Sequence, residues 1–228
     1  MFEKFRQRSL EPENLDKGSY TPEEYEGCLV ELRRVNEWLG DANALRDSLL
    51  KEIGRRDLRS FSVLDVGAGS GELLRVTAKW ARETNRQASL VGLELNERSA
   101  QAILDESTDF REISSVRASG FELPFSDKSF DYVIQSLTLH HFDDAGAVKI
   151  LREMARVAKR WVLVSVPREP LWRGLNMARG AYWKDLGNTP GHVNHWSKRS
   201  FVALLSRYGT VVEARSPFPW TMLLVRLG

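Results

Sequence analysis

The segment Val63-Leu64-Asp65-Val66-Gly67-Ala68-Gly69-Ser70-Gly71-Glu72-Leu73-Leu74 carries the densest chemical information in the chain. A short apolar run ends in an acid, Asp65, and passes through a Gly-x-Gly-x-Gly turn into an apolar helix start. Glycine allows the sharp turn and lets a ligand approach the main chain with no Cβ in the way. The N–H groups opening the following helix then point at whatever binds there. A dinucleotide fingerprint needs a third glycine three residues after the second. Glu72 occupies that position and would repel a pyrophosphate at the helix N-terminus. An acid beside the turn instead suits a ligand with positive charge, such as the ammonium group of an amino acid.

Further groups follow in order. Ala88-Ser89-Leu90-Val91-Gly92-Leu93-Glu94-Leu95 reads as a second strand ending in an acid, and a carboxylate there can accept both hydroxyls of a ribose. Leu123-Pro124-Phe125-Ser126-Asp127-Lys128-Ser129-Phe130-Asp131 leads into Tyr132-Val133-Ile134-Gln135-Ser136-Leu137-Thr138-Leu139-His140-His141-Phe142. These residues resemble the motifs of the class I S-adenosylmethionine (SAM) methyltransferases. The "LPF-x-D-x-SFD" and "LHHF" segments resemble the small-molecule, ubiquinone/menaquinone, type 11-like branch. Glu31–Gly40 and Leu151–Ala158 are similar to elements of a bacterial subgroup associated with polyketide or quinone-like products. The resemblance covers about residues 23 to 166 and fades beyond.

The resemblance implies SAM as cofactor, with S-adenosylhomocysteine (SAH) as product, and assigns roles residue by residue. Asp65 is expected to orient the turn and reach the methionine ammonium, with Gly67, Ala68, Gly69 and Gly71 lining the cofactor. Glu94 is expected to bind the ribose hydroxyls, with Leu95 next to it among the cofactor-binding residues, and Gln135 and Ser136 beside the methionine part. Relatives carry an acid at the adenine position, where this chain has Ser119. Its hydroxyl still accepts one hydrogen bond, and Gly120 and Phe121 supply a backbone contact and an apolar wall.

No catalytic residue is named by the sequence. A histidine suits proton removal near neutrality. His141, His192 and His195 are therefore the candidates, against packing or loop-anchoring roles. His192 and His195 lie near Tyr182, Trp183 and Trp196, which could wall an apolar acceptor pocket or simply pack in the core. No metal site is expected, because His192 and His195 have no converging third ligand.

A chain of 228 residues suffices for one α/β domain. Strands near 62–66, 89–95, 114–118, 131–136 and 161–166 alternate with helices near 71–84, 97–105 and 145–157. Alternation of this kind implies a mostly parallel, doubly wound sheet, here of seven strands. The pair 210–215 and 220–226, joined by Pro217-Phe218-Pro219, reads as an antiparallel ending. Thr21-Pro22-Glu23-Glu24 starts a helix with an N-cap threonine, proline at the first helical position and acids in the first turn. Leu29, Leu32, Val35, Trp38 and Leu39 form its apolar stripe, and a second helix covers about 43–54. Residues 1–57 are expected to form a helical cap and 58–228 the cofactor-binding domain, with 167–196 as the acceptor-side segment.

The net charge of +2, from 33 basic and 31 acidic residues, is no nucleic-acid footprint. The single cysteine, Cys28, suits a reducing compartment. No apolar run approaches the roughly eighteen residues of a membrane span, and the first residues lack a signal-peptide core. The expectation is a cytoplasmic enzyme, monomer or homodimer, methylating an oxygen, nitrogen or carbon of a small organic acceptor. A tRNA-modifying enzyme is weighed beside it and disfavoured by the charge balance and by Gln135-Ser136-Leu137-Thr138 standing where nucleobase amino-methylating enzymes carry Asn/Asp-Pro-Pro-aromatic. A non-catalytic SAM-binding partner protein is the third reading.

Overall fold

Each central strand sends alternate residues into two different cores. In β1 (Ser60–Val66), Leu64 and Val66 enter one apolar cluster, while Phe61 and Val63 enter the other. In β5 (Ala158–Pro167), Val162 and Val164 face the first, and Trp161 and Leu163 the second. That period of two is the geometry of a sheet buried on both faces. The structure, a computed structural model, describes residues 20–25, 27, 30, 41–167, 198–215 and 220–227. The expected stripe from Leu29 to Leu39 and the segment with Tyr182, Trp183, His192, His195 and Trp196 lie outside the described residues.

The remaining strands are β2 (Gln87–Glu94), β3 (Ile113–Arg117), β4 (Phe130–Ser136), β6 (Thr210–Arg215) and β7 (Trp220–Arg226). They form one seven-stranded sheet in the order β3-β2-β1-β4-β5-β7-β6. β1, β2, β3, β4 and β5 pair in parallel, and β7 runs antiparallel to both β5 and β6. The expected antiparallel ending is therefore present. The chain moves outward from β1 to β3 and then returns to place β4 on the other side of β1. This reversal is the topological switch point, where ligands bind beyond the carboxyl ends of the strands.

A helix begins at Asp41–Leu45, widens into π geometry over Arg46–Leu50 and resumes over Lys51–Arg55; together these are α1. Within it the Ser48 hydroxyl donates to the Ala44 carbonyl at 2.6 Å. That carbonyl would otherwise serve the helical ladder alone. Leu45, Leu49, Leu50 and Ile53 pack with β-strand residues in the second core. α2 (Glu72–Glu83) and α3 (Glu97–Asp105) complete that face through Leu74, Ala78 and Ile103. α4 (Asp144–Val157) and α5 (Lys198–Leu205) cover the other through Ile150, Met154, Phe201 and Leu205.

Candidate functional site

At the end of β1 the chain is folded back onto β2. Gly67 N–H donates to Leu93 O at 2.8 Å, and Ala68 N–H shares that carbonyl at 3.3 Å. Gly67, Gly69 and Gly71 have φ of 74°, 58° and 82°, a region L-residues enter at a cost. The glycines serve different ends. A Cβ on Gly67 would fall 2.5 Å from Thr138 Oγ1, so this glycine permits contact between the β1 and β4 loops. A Cβ on Gly69 would meet nothing within 4 Å, so this glycine faces an open cradle. Gly71 is the left-handed cap that opens α2. Arg75, one turn into α2, donates to Ser70 O at 2.5 Å and to Glu106 at 2.9 Å, bracing the turn. Asp65 is buried in β1 at 2% exposure, aligned with Gly92 of β2 and Ile134 of β4.

Glu94 closes the cradle from β2. Its Oε1 accepts Gly69 N–H at 2.7 Å, and its Oε2 accepts the N–H of Leu95 at 3.1 Å. Each carboxylate oxygen has a second lone pair, so the group remains able to accept a vicinal diol. Burial pushes the carboxyl above the usual glutamate range, while the N–H groups of Gly69 and Leu95, the charge of His141 and the N–H of Asn96 act in the opposite direction. Beside it Leu95 projects a side chain that is 68% exposed, an apolar surface at the edge of the cradle.

The third wall is the loop after β3. The Ser119 hydroxyl accepts Phe121 N–H at 3.2 Å, and Glu122 N–H bonds Ser119 O at 3.2 Å, a compact serine turn. Phe121 packs edge-on against Phe142 with ring centroids 5.0 Å apart, and Lys149 Nζ sits 5.6 Å from its ring centre. Gly120 lies against Val66, where a Cβ would come within 3.3 Å. The loop is held from α4. Glu153 accepts Leu123 N–H at 2.8 Å, while Arg156 donates to Leu123 O at 3.0 Å, Phe125 O at 2.8 Å and Asp127 at 2.9 Å.

The fourth wall is the end of β4. Gln135 is 1% exposed, and the donors around it assign its amide orientation. Its oxygen then accepts Thr138 N–H at 2.8 Å and Leu139 N–H at 2.7 Å. Ser136 follows at the strand end, paired with Ser165 of β5. Leu137 takes φ of 57°, an outlying conformation for a bulky residue, and its N–H donates to Ser165 O at 3.1 Å. His141 ends the short 3₁₀ turn Leu139–His141 and is close enough for its charge to act on Glu94.

The fold thus gathers Asp65, Gly67, Ala68, Gly69, Gly71, Glu94, Leu95, Ser119, Gly120, Phe121, Gln135, Ser136 and His141 around the carboxyl ends of four adjacent strands. His192 and His195 lie outside the described residues. Among the described residues no three His, Cys, Asp or Glu side chains cluster as metal ligands. Sequence reasoning missed three supports: Thr138 against Gly67, Arg75 on the turn, and the Glu153–Arg156 pair under the 119–127 loop. The i,i+3 Glu–Arg spacing in α4 was a visible signal for the last. Nothing in the sequence pointed to the first two.

The seven-stranded sheet with its antiparallel last pair, and a glycine turn at the switch point, is the fold of the class I methyltransferases. Residues 63–160 match the Methyltransferase domain family. The ubiquinone/menaquinone biosynthesis C-methyltransferase UbiE of Rickettsia prowazekii is 35% identical over 101 residues, 43% of this chain and 40% of that protein. The UbiE of Rickettsia massiliae is 34% identical over 124 residues, 53% of this chain and 48% of that protein. The chain thus spans less than half the length of these curated relatives. Among solved structures, a SAM-dependent methyltransferase from Aquifex aeolicus has a TM-score of 0.64 at 16% identity, covering 92% of this chain and all of that one. Magnesium protoporphyrin IX methyltransferase (ChlM) from Synechocystis with bound SAH also scores 0.64, at 14% identity over 83% of this chain and 84% of its own. At such identities these structures speak for the fold. No described helix is long and apolar enough to cross a membrane.

Proposed function

We propose that the chain is an enzyme that transfers the methyl group of SAM to a small organic acceptor, releasing SAH. The observation that carries this reading is the Glu94 carboxylate held by Gly69 N–H and Leu95 N–H above an open glycine cradle. That donor set fits an adenosine, and the acid in β1 fits an ammonium. Glu94 would accept the ribose hydroxyls, and Leu95 and Phe121 would flank the adenine. Ser119 would contribute a hydroxyl at its edge. Asp65, Gly67, Ala68, Gly71, Gln135 and Ser136 would line the methionine part.

When bound, SAM supplies an activated methyl with its own leaving group. The chain's residues therefore need chiefly to align and enclose the acceptor, a contribution worth several kcal/mol in such reactions. Where the acceptor must lose a proton, His141 is the candidate among the described residues, with His192 and His195 further candidates in the acceptor-side segment. By analogy with the Rickettsia enzymes, the acceptor is a phenolic or quinone-like ring and the methylated atom a carbon. The reading includes a small-molecule rather than a nucleic-acid partner and a cytoplasmic location. It places the helical cap at residues 1–57 and the cofactor-binding domain at 58–228.

Calorimetric titration of wild type and Glu94→Ala with SAM, SAH and NAD tests it. Micromolar binding of the two sulfur ligands, lost in the variant and absent for NAD, supports the assignment. Silence for both sulfur ligands would sink it. Binding without transfer to any member of a panel of phenols, quinols and tRNA would favour the non-catalytic partner.

A further inference from the structure

The described part of the N-terminal helix is attached to the edge of the cradle through two tyrosines. Thr21 and Glu24 cap its first turn reciprocally. Thr21 N–H donates to Glu24 Oε2 at 2.7 Å, and Glu24 N–H donates to Thr21 Oγ1 at 3.3 Å. With Thr21 as N-cap, Tyr20 precedes the cap and Tyr25 falls at the fourth helical position, the two places where apolar side chains clasp a helix start. Their rings do stack, with centroids 5.1 Å apart and planes 26° from parallel. Such a clasp needs only rings. Both hydroxyls, however, find partners on α3: Tyr20 OH accepts from Asn96 Nδ2 at 2.6 Å, and Tyr25 OH is hydrogen-bonded to Ser99 Oγ.

Asn96 connects this attachment to the site. Its Oδ1 caps α3, accepting Arg98 N–H at 2.9 Å and Ser99 N–H at 3.4 Å, while its Nδ2 holds Tyr20. It is two residues from Glu94 and adjacent to Leu95, whose N–H bonds Glu94 Oε2. Tyr25 is 4% exposed, with its ring stacked on Tyr20 and its hydroxyl on Ser99.

We propose that Tyr20 and Tyr25 are positioning residues for the cofactor: their hydroxyls dock the N-terminal helix on Asn96 and Ser99 and so hold the Glu94–Leu95–Asn96 corner in its binding geometry. The inference rests on the proposed SAM-binding reading. Docking and cofactor binding are then linked, and each favours the other by the same factor. Removing the hydroxyls lowers affinity without touching a group that meets the ligand.

The test compares wild type, the double variant Tyr20→Phe/Tyr25→Phe, Asn96→Ser and Asn96→Asp. Phenylalanine keeps the ring stack. Serine keeps a helix cap but lacks the reach to Tyr20, whereas aspartate keeps the cap and can accept from the Tyr20 hydroxyl. SAH affinity is read by calorimetry, its release by stopped flow, and amide exchange of residues 94–99 with and without SAH. At about fivefold per hydrogen bond, the double variant should bind SAH roughly ten- to thirtyfold more weakly, mainly through faster release. Asn96→Ser should follow it by roughly fivefold, and Asn96→Asp should stay near wild type. SAH should slow exchange at 94–99 in wild type and less in the double variant. Equal SAH affinity and exchange in wild type and the double variant, both folded by thermal melt, would overturn the proposal. Wild type failing to bind SAH would overturn the cofactor reading itself and this inference with it. Loss of affinity in Asn96→Asp equal to that in Asn96→Ser would also count against the tyrosine contact.

Discussion

Gly67 and Thr138 approach so closely that a single methyl group on the glycine would lie 2.5 Å from the threonine Oγ1 and 2.8 Å from its Cγ2. The two residues join the loops after β1 and β4, the strands on either side of the switch point. Thr138 Oγ1 also lies 3.2 Å from Ser136 O, to which it donates, so its side chain is not free to turn away.

Gly67→Ala should therefore cost about 2–4 kcal/mol, from the left-handed backbone and the overlap together. Gly69→Ala, with the same backbone strain but open space, should cost only about 1–2 kcal/mol. Denaturant unfolding of both, with Thr138→Ala and the Gly67→Ala/Thr138→Ala double variant, separates the terms. The double variant should recover the overlap part and retain the backbone part. Equal losses at 67 and 69 would refute the distinction.

Burial raises the Glu94 carboxyl pKa, so the folded protein favours its protonated form. A raised folded-state pKa contributes stability that is fully present below the unfolded value and is lost as pH rises through the folded value. Glu94→Gln removes this dependence. The stability difference of Glu94→Gln minus wild type should hence increase as pH is raised from about 4.5, the ordinary glutamate range, and level off above the folded pKa. Thermal melts across pH read it, and a flat difference contradicts the assignment.

The same shift governs ligand binding in the opposite sense. The ionised carboxylate is the better acceptor for ribose hydroxyls, so SAH affinity should weaken on acidification at a pH above that of an ordinary glutamate. Calorimetry between roughly pH 5 and 8 tests this, with buffers of differing ionisation enthalpy to count the protons released on binding.

Arg156 spreads its guanidinium over two backbone carbonyls and the Asp127 carboxylate of the loop that carries Ser119 and Phe121, and over Glu153 of its own helix. A lysine offers a point charge in place of that planar fork. Arg156→Lys should cost about 1–2 kcal/mol in urea unfolding and faster exchange at Leu123 N–H. Glu153 is held below its usual range, first by its hydrogen bond to Arg156, so the pair contributes stability that is lost as pH falls through the depressed value. Arg156→Lys should blunt that acid-side loss.

Leu137 sits at φ of 57° and belongs to neither apolar cluster formed by the described residues. Asparagine tolerates this backbone better. Leu137→Asn should leave stability unchanged or raise it by about 1 kcal/mol. A loss of several kcal/mol would mean that the leucine side chain packs more firmly than its place suggests.

The alternation of apolar strands with amphipathic helices, the glycine turn after Asp65, and the acids ending β1 and β2 were all legible in the residue order. They depend on local preferences: glycine for positive φ, β-branched runs for buried strands, and capping residues for helix starts. The antiparallel ending was legible for the same reason, because a four-residue link cannot carry a crossover. Long-range relations were not legible. That Thr138 abuts Gly67, 71 residues away, follows from the strand order placing β4 beside β1. That Glu94 grips Gly69 N–H follows from the one-to-one register of β1 and β2. That Tyr20 meets Asn96 follows from where the N-terminal helix lands on α3. Residue types and short spacings carry local conformation. Which distant groups become neighbours depends on the packing of both sheet faces at once, a property of the folded chain as a whole.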